Sequence, residues 1–142
     1  MDYNYYLSVG FVPVGHLVKS VVVSKKHKVQ MQWQEDYSPE AKMGVYLICK
    51  GDNILKIGET QNLRHRFSCY ESHNGPTNTM VRENMGDEQA YPILFLECPS
   101  YIVEFGGVKV PNGINYRILE KNLLTQFESK TGALPIWNKG KA

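Results

Sequence analysis

With 142 residues, 42% hydrophobic, 11% aromatic and 21% charged, the chain carries enough apolar material for one core and is neither a disordered, a collagen-like nor a coiled-coil protein. Lys and Arg number 16 against 14 Asp and Glu, a formal net charge of +2, so any polyanion site must come from local arrangement and not from a polybasic tail. The cysteines at 49, 69 and 98 lack Cys-x-x-Cys spacing and the first residues lack a signal-like apolar stretch, so a reducing, cytoplasmic setting without a membrane partner is expected.

Residues 1–43 read as a β-rich extension, with strands over 7–14, 17–23 and 28–33 and turn candidates at Pro13-Val14-Gly15 and Ser24-Lys25-Lys26-His27. After the polar stretch 35–40, Val45-Tyr46-Leu47-Ile48-Cys49 reads as a strand that turns at Lys50-Gly51-Asp52-Asn53 into a second strand over 54–57. Gly58 then breaks the strand and Thr60 is the expected N-cap. Leu63, Phe67 and Tyr70 follow at the i, i+4, i+7 spacing of one helix face, completing a unit over 44–70.

Residues 71–113 read as an insertion holding a strand over 93–96 and a hairpin of 101–105 with 108–110 around Gly106-Gly107. Its two basic and six acidic groups contrast with four and two in 44–70 and five and two in 114–142, which places part of it away from a polyanion. Helical periodicity runs from 114 to 127, and Gly132, Pro135 and Gly140 punctuate the last stretch. The class is one α+β domain with a small sheet.

On the last helix, at ~100° per residue, Tyr116, Leu119, Leu123, Leu124 and Phe127 form an apolar arc, and Glu120 falls inside it. A carboxylate taken out of water without a partner costs several kcal/mol, so Glu120 needs a cation, a metal or the edge of a cleft. A structural salt bridge satisfies the pattern equally. Arg66 shares a face with Leu63 and Tyr70, either packing its stem against the apolar stripe or aiming its guanidinium fork at a phosphate; Arg64 and His65 face solvent. His16, His27, His65 and His73 have no ligand spacing.

Gly44-Val45-Tyr46, Lys56-Ile57-Gly58, Asn62-Leu63-x-x-Arg66, Leu119-Glu120-x-x-Leu123-Leu124 and Pro135-Ile136-Trp137-Asn138 occur in an order that resembles the GIY-YIG nuclease superfamily. The resemblance spans residues 44 to 138 in scattered blocks. It implies a three-stranded antiparallel sheet flanked by helices, with the β-rich extension added, and divalent-metal-dependent cleavage of DNA. Glu120 would hold Mg²⁺ or Mn²⁺, Arg66 would face the scissile phosphate, and Tyr46 would position or deprotonate the attacking water. Tyr70 stands where the family carries His or Tyr, and Asn138 would hold the geometry by hydrogen bonding.

The chain departs from the pattern at Lys56, which replaces the second motif tyrosine, as in restriction-type members. A lysine beside a metal and an arginine can drop in pKa and act as the base, or it can be an ordinary solvated strand end. Tyr46, with a free phenol pKa near 10, needs nearby positive charge to serve as base, or is simply a core tyrosine. The resemblance favours a restriction-type enzyme acting as a homodimer on double-stranded DNA, with homing or repair-type nicking and a catalytically silent binding module as alternatives. Lys25, Lys26, Arg64, Asn78 and Arg82 are the expected DNA contacts.

Overall fold

The computed structural model describes residues 1–21, 27–98, 101–105, 108–111 and 115–139. In chain order the elements are α1 (Tyr3–Ser8), β1 (Val12–Val21), β2 (His27–Trp33), β3 (Gly44–Lys50), β4 (Asn53–Thr60), α2 (Leu63–Ser72), α3 (Pro76–Asn84), β5 (Ala90–Glu97), β6 (Tyr101–Phe105), β7 (Val108–Pro111) and α4 (Asn115–Thr131). The first five strands to pair form one antiparallel sheet in the order β2-β1-β5-β3-β4, and β6 with β7 makes a separate ribbon.

The expectation of a three-stranded sheet is therefore corrected to five strands. The expected trio is present as β5-β3-β4, but β1 pairs along the free edge of β5, from Val12 opposite Phe95 to Val18 opposite Ala90. An unpaired edge leaves backbone N–H and C=O groups without partners, and the N-terminal segment supplies them. The expected break at Pro13-Val14-Gly15 is also corrected. A single strand runs through it as a bulge, with Gly15 at φ +152, and a side chain there would strike the Gln32 carbonyl.

Strand alternation gives the sheet two buried faces. One carries Leu17, Met31, Tyr46, Ile48, Ile93 and Phe95 under α2 and α3; the other carries Val45, Leu47, Ile57 and Leu94 under α1 and α4. Because both faces of β3 are covered, its first six residues are all buried. That explains why it reads as a continuous apolar run and not as an alternation.

The first helix replaces the start of an expected strand at 7–14. Asp2 caps it, its carboxylate accepting from the Tyr5 N–H at 3.0 Å, and buried Tyr6 anchors it beneath the sheet. The expected N-cap Thr60 is likewise corrected. Thr60 still pairs with Gly44 as the last residue of β4, and Asn62 caps α2, its side chain accepting from His65 N–H at 3.1 Å.

Phe67 on α2 is fully buried and meets Trp33 edge-on at 5.8 Å and Tyr46 edge-on at 5.1 Å, so it ties the helix to the edge strand β2 and to the interior strand β3. Phe67→Ala is expected to lower stability by about 3–5 kcal/mol in urea titrations. The Ile118→Ala change on the exposed face of α4 (51% exposed) should stay within about 0.5 kcal/mol.

Candidate active site

Tyr46 sits in the middle of the sheet and points to the α2 side, with Gly58 directly opposite on β4. A side chain at residue 58 would run into the Tyr46 ring and hydroxyl. Gly58 thus lies within β4 instead of ending it, and its missing side chain is the space the phenol occupies.

Tyr70, on α2, brings its hydroxyl to 2.6 Å from that of Tyr46, with both residues almost wholly excluded from solvent. Arg66, one turn earlier, donates from Nε to the Tyr46 hydroxyl at 3.2 Å and lays its guanidinium 4.0 Å over the Tyr70 ring. Its Nη1 donates to Asn78 Oδ1 on α3 at 2.7 Å. Burial works against the charge of Arg66, but the oxygens of Tyr46 and Tyr70 outweigh it and hold the group protonated.

Lys56 projects from β4 on the same face as Tyr46, two residues before Gly58. Glu120 stands on α4, which packs on the opposite face, beside the edge strand β4. Glu59, Arg117, Glu120 and Lys121 line a cleft there. Lys56 feels the charges of Arg66 and Glu120, and Tyr46 feels the same two. All four side chains therefore share one electrostatic environment.

Burial pushes the Tyr46 phenol up despite Arg66 and both hydrogen bonds, and Tyr70 rises further through burial and the Tyr46 beside it. Lys56 moves the other way, lowered by burial and by Arg66 against a smaller opposing pull from Glu120. Glu120 is raised to about 7 by burial and by Glu59, with Lys56 opposing. The neutral forms of Lys56 and Glu120 are thereby brought closer to physiological pH, whereas Tyr46 is held as a phenol.

Asn138 clasps β4 from outside the sheet. Its Oδ1 accepts from Ile57 N–H and its Nδ2 donates to the Ile57 carbonyl, both at 2.9 Å, while Trp137 N–H donates to the Leu55 carbonyl at 2.8 Å. The closing block thus completes the hydrogen bonding of the edge that carries Lys56 and Gly58.

The expected DNA contacts fall in different places. Lys25 and Lys26 lie outside the described residues. Arg64 is exposed and pairs with Glu40 at 3.0 Å. Asn78 is taken up by Arg66, and Arg82 donates from Nη1 to the Tyr70 carbonyl at 2.9 Å, so both are engaged inside the protein. The sequence analysis assigns no element to 74–82, which is largely the helix α3, and Pro76 at its first turn is the available signal.

Glu120 offers carboxylate oxygen, the donor type a hard divalent cation takes, and its pKa is raised first by burial and then by the negative charge of Glu59. A divalent ion fits that environment. Among the described residues no group of three or more His, Cys, Asp or Glu could hold a metal, which leaves a site of few protein ligands as the form available.

The architecture is that of an α+β domain built on an antiparallel sheet. It is similar to the solved restriction endonuclease HPY188I in complex with product DNA, with a TM-score of 0.57 and 16% sequence identity over 99% of this chain and 87% of that one. That likeness shows the fold. No family model matches the chain, and no curated protein matches it by sequence. No described helix is long and apolar enough to cross a membrane.

Gly58→Ala is expected to drive the Tyr46 ring off its partner, lowering stability by about 1–3 kcal/mol in urea titrations and altering the near-UV tyrosine signal. Glu120 gives a pH-dependent expectation. Its pKa is raised from 4.5 to about 7 in the folded metal-free protein, so between those values the native state holds more protons than the unfolded chain and stability falls as pH rises. Glu120→Gln should flatten that slope and be relatively more stable at pH 8 than at pH 5, measured by urea midpoints.

Proposed function

We propose that the protein is a divalent-metal-dependent DNA endonuclease of the GIY-YIG type, acting as a restriction-type enzyme on double-stranded DNA. What supports this reading is the hydrogen bond from Arg66 to Tyr46 at 3.2 Å together with the charges of Lys56 and Glu120, which act on each other, with Glu120 acting on Tyr46 and Arg66 on Lys56. The fold it shares with a restriction endonuclease crystallised on product DNA supports the same reading.

In this reading Glu120 holds Mg²⁺ or Mn²⁺ together with substrate phosphate. The bound ion supplies Lewis-acid stabilisation of charge on the phosphate and the leaving 3′ oxygen. Arg66 has three N–H donors left after its bonds to Tyr46 and Asn78, and these face the scissile phosphate. Lys56, lowered in pKa, takes the proton from the attacking water, and the Tyr46 hydroxyl orients that water without losing its own proton. Tyr70 steadies both Tyr46 and Arg66 from behind.

One such site cuts one strand, so double-strand cleavage calls for two copies related by a two-fold axis on a palindromic site. The experiment is incubation of supercoiled plasmid with purified protein and Mg²⁺ or Mn²⁺. Discrete linear fragments are expected, suppressed by chelation, and rising with pH as Lys56 loses its proton. Glu120→Ala should reduce cleavage by roughly 10²-fold or more while sparing DNA binding. Nicked circles alone would point to the homing or repair-type reading, and an intact plasmid under all metals would reject hydrolysis.

A further inference from the structure

Arg66 is held from two sides. The bond from Nε to Tyr46 fixes one edge of its guanidinium, which lies over the Tyr70 ring, but what resists exchange of its two Nη groups by rotation about Nε–Cζ is the third contact, Nη1 to Asn78 Oδ1 at 2.7 Å. That acceptor comes from α3, in the stretch between the arginine helix and β5.

The helix is itself anchored where it must be. Arg82, four residues after Asn78 and so on the same helix face, donates to the Tyr70 carbonyl at 2.9 Å and more weakly to Cys69 at 3.4 Å, capping the end of α2. Lys19 Nζ donates to the Arg82 carbonyl at 2.8 Å, and Val81 and Met85 are buried in the core under the sheet. Asn78 therefore stands on an element fastened to the same helix that carries Arg66 and Tyr70. Its amide oxygen is an uncharged acceptor, which orients the guanidinium without cancelling its charge. A carboxylate in that place would orient it and neutralise it.

We infer that Asn78 is a positioning residue, which aims the free N–H groups of Arg66 at the phosphate and leaves their charge available to it. The inference rests on the nuclease reading for its kinetic consequence and on the structure alone for the orientation. It assigns to α3 the work of holding an active-site side chain.

Two readouts test it. In ¹⁵N NMR of the metal-free protein, Arg66 should show separate Nη1 and Nη2 signals because rotation about Nε–Cζ is hindered, and in Asn78→Ala and Asn78→Leu these should merge. In cleavage assays on a protein that cuts, both variants should lower kcat by ~10- to 100-fold with KM changed less than about threefold, since misorientation is felt at the reacting centre. Asn78→Asp keeps the acceptor, so it should keep the separate Nη signals while still lowering kcat, because it draws charge from the phosphate contact.

Merged Nη signals in the wild type, or unchanged separate signals in both Asn78→Ala and Asn78→Leu, would overturn the orientation. So would kcat within threefold of wild type in either variant, or merged Nη signals in Asn78→Asp. Melting temperatures measured alongside identify a variant that fails to fold, and the remaining one of the alanine and leucine pair, which change side-chain volume in opposite directions, then decides. A wild type that cuts nothing yet shows hindered Arg66 signals lost on substitution would reject the nuclease reading and retain the orientation.

Discussion

The phenol of Tyr46 can stand inside the sheet face only because the residue across the ladder has no side chain. From that one absence the rest of the arrangement follows. With its ring lying over Gly58, the Tyr46 hydroxyl reaches Tyr70 and Arg66 of α2, and the buried hydroxyl pair finds in the guanidinium a charged donor that satisfies it. A buried hydroxyl without such a partner carries a desolvation cost of about 1–3 kcal/mol, so the three side chains stabilise one another's positions. The cost of assembling them falls on the phenols, whose pKa values move up and away from any use as bases.

The second constraint is the place of β4 at the end of the sheet. Lys56 and Glu120 belong to opposite faces, and in an interior strand the neighbouring backbone would separate them. At an edge no further strand stands beyond β4, and Glu120 of α4 lines a cleft together with Glu59 of β4. An exposed edge is also a template for unwanted pairing, and the chain closes it with Asn138 and Trp137, which take up the backbone groups of Ile57 and Leu55. The C-terminal block thus serves folding and site geometry through the same hydrogen bonds.

Much of this was legible in sequence. The β3–β4 hairpin and the strand over 93–96 announce themselves as short apolar runs, and the face of α2 carrying Leu63, Phe67 and Tyr70 and the helix bearing Glu120 by helical periodicity. Glu120 stands out in the sequence as an acid inside an apolar arc. What stayed hidden depends on tertiary context. The helix α1 is six residues rich in tyrosine, whose intrinsic preference is for strands, and only the Asp2 cap and the docking of Tyr6 make it helical. The α3 segment has one fully buried residue, Val81, too little for a visible stripe. Gly15 reads as a turn because the bulge that accommodates it exists only once β1 lies between β2 and β5.

The same distinction separates the site residues. Tyr46, Lys56, Arg66 and Glu120 are recognisable because their chemistry requires a particular side chain at a particular place in a short motif. On sequence Asn78 and Arg82 suit DNA contacts because polar side chains can meet base edges, and no local rule distinguishes an amide that meets a base from one that meets a guanidinium. The deciding fact is that Pro76 starts a helix, which puts Asn78 and Arg82 on one face one turn apart and turns that face toward α2. Charge points the same way. An acidic stretch is a poor approach to a polyanion, but it can supply uncharged and backbone acceptors to cationic side chains near one, keeping an arginine aimed without neutralising it.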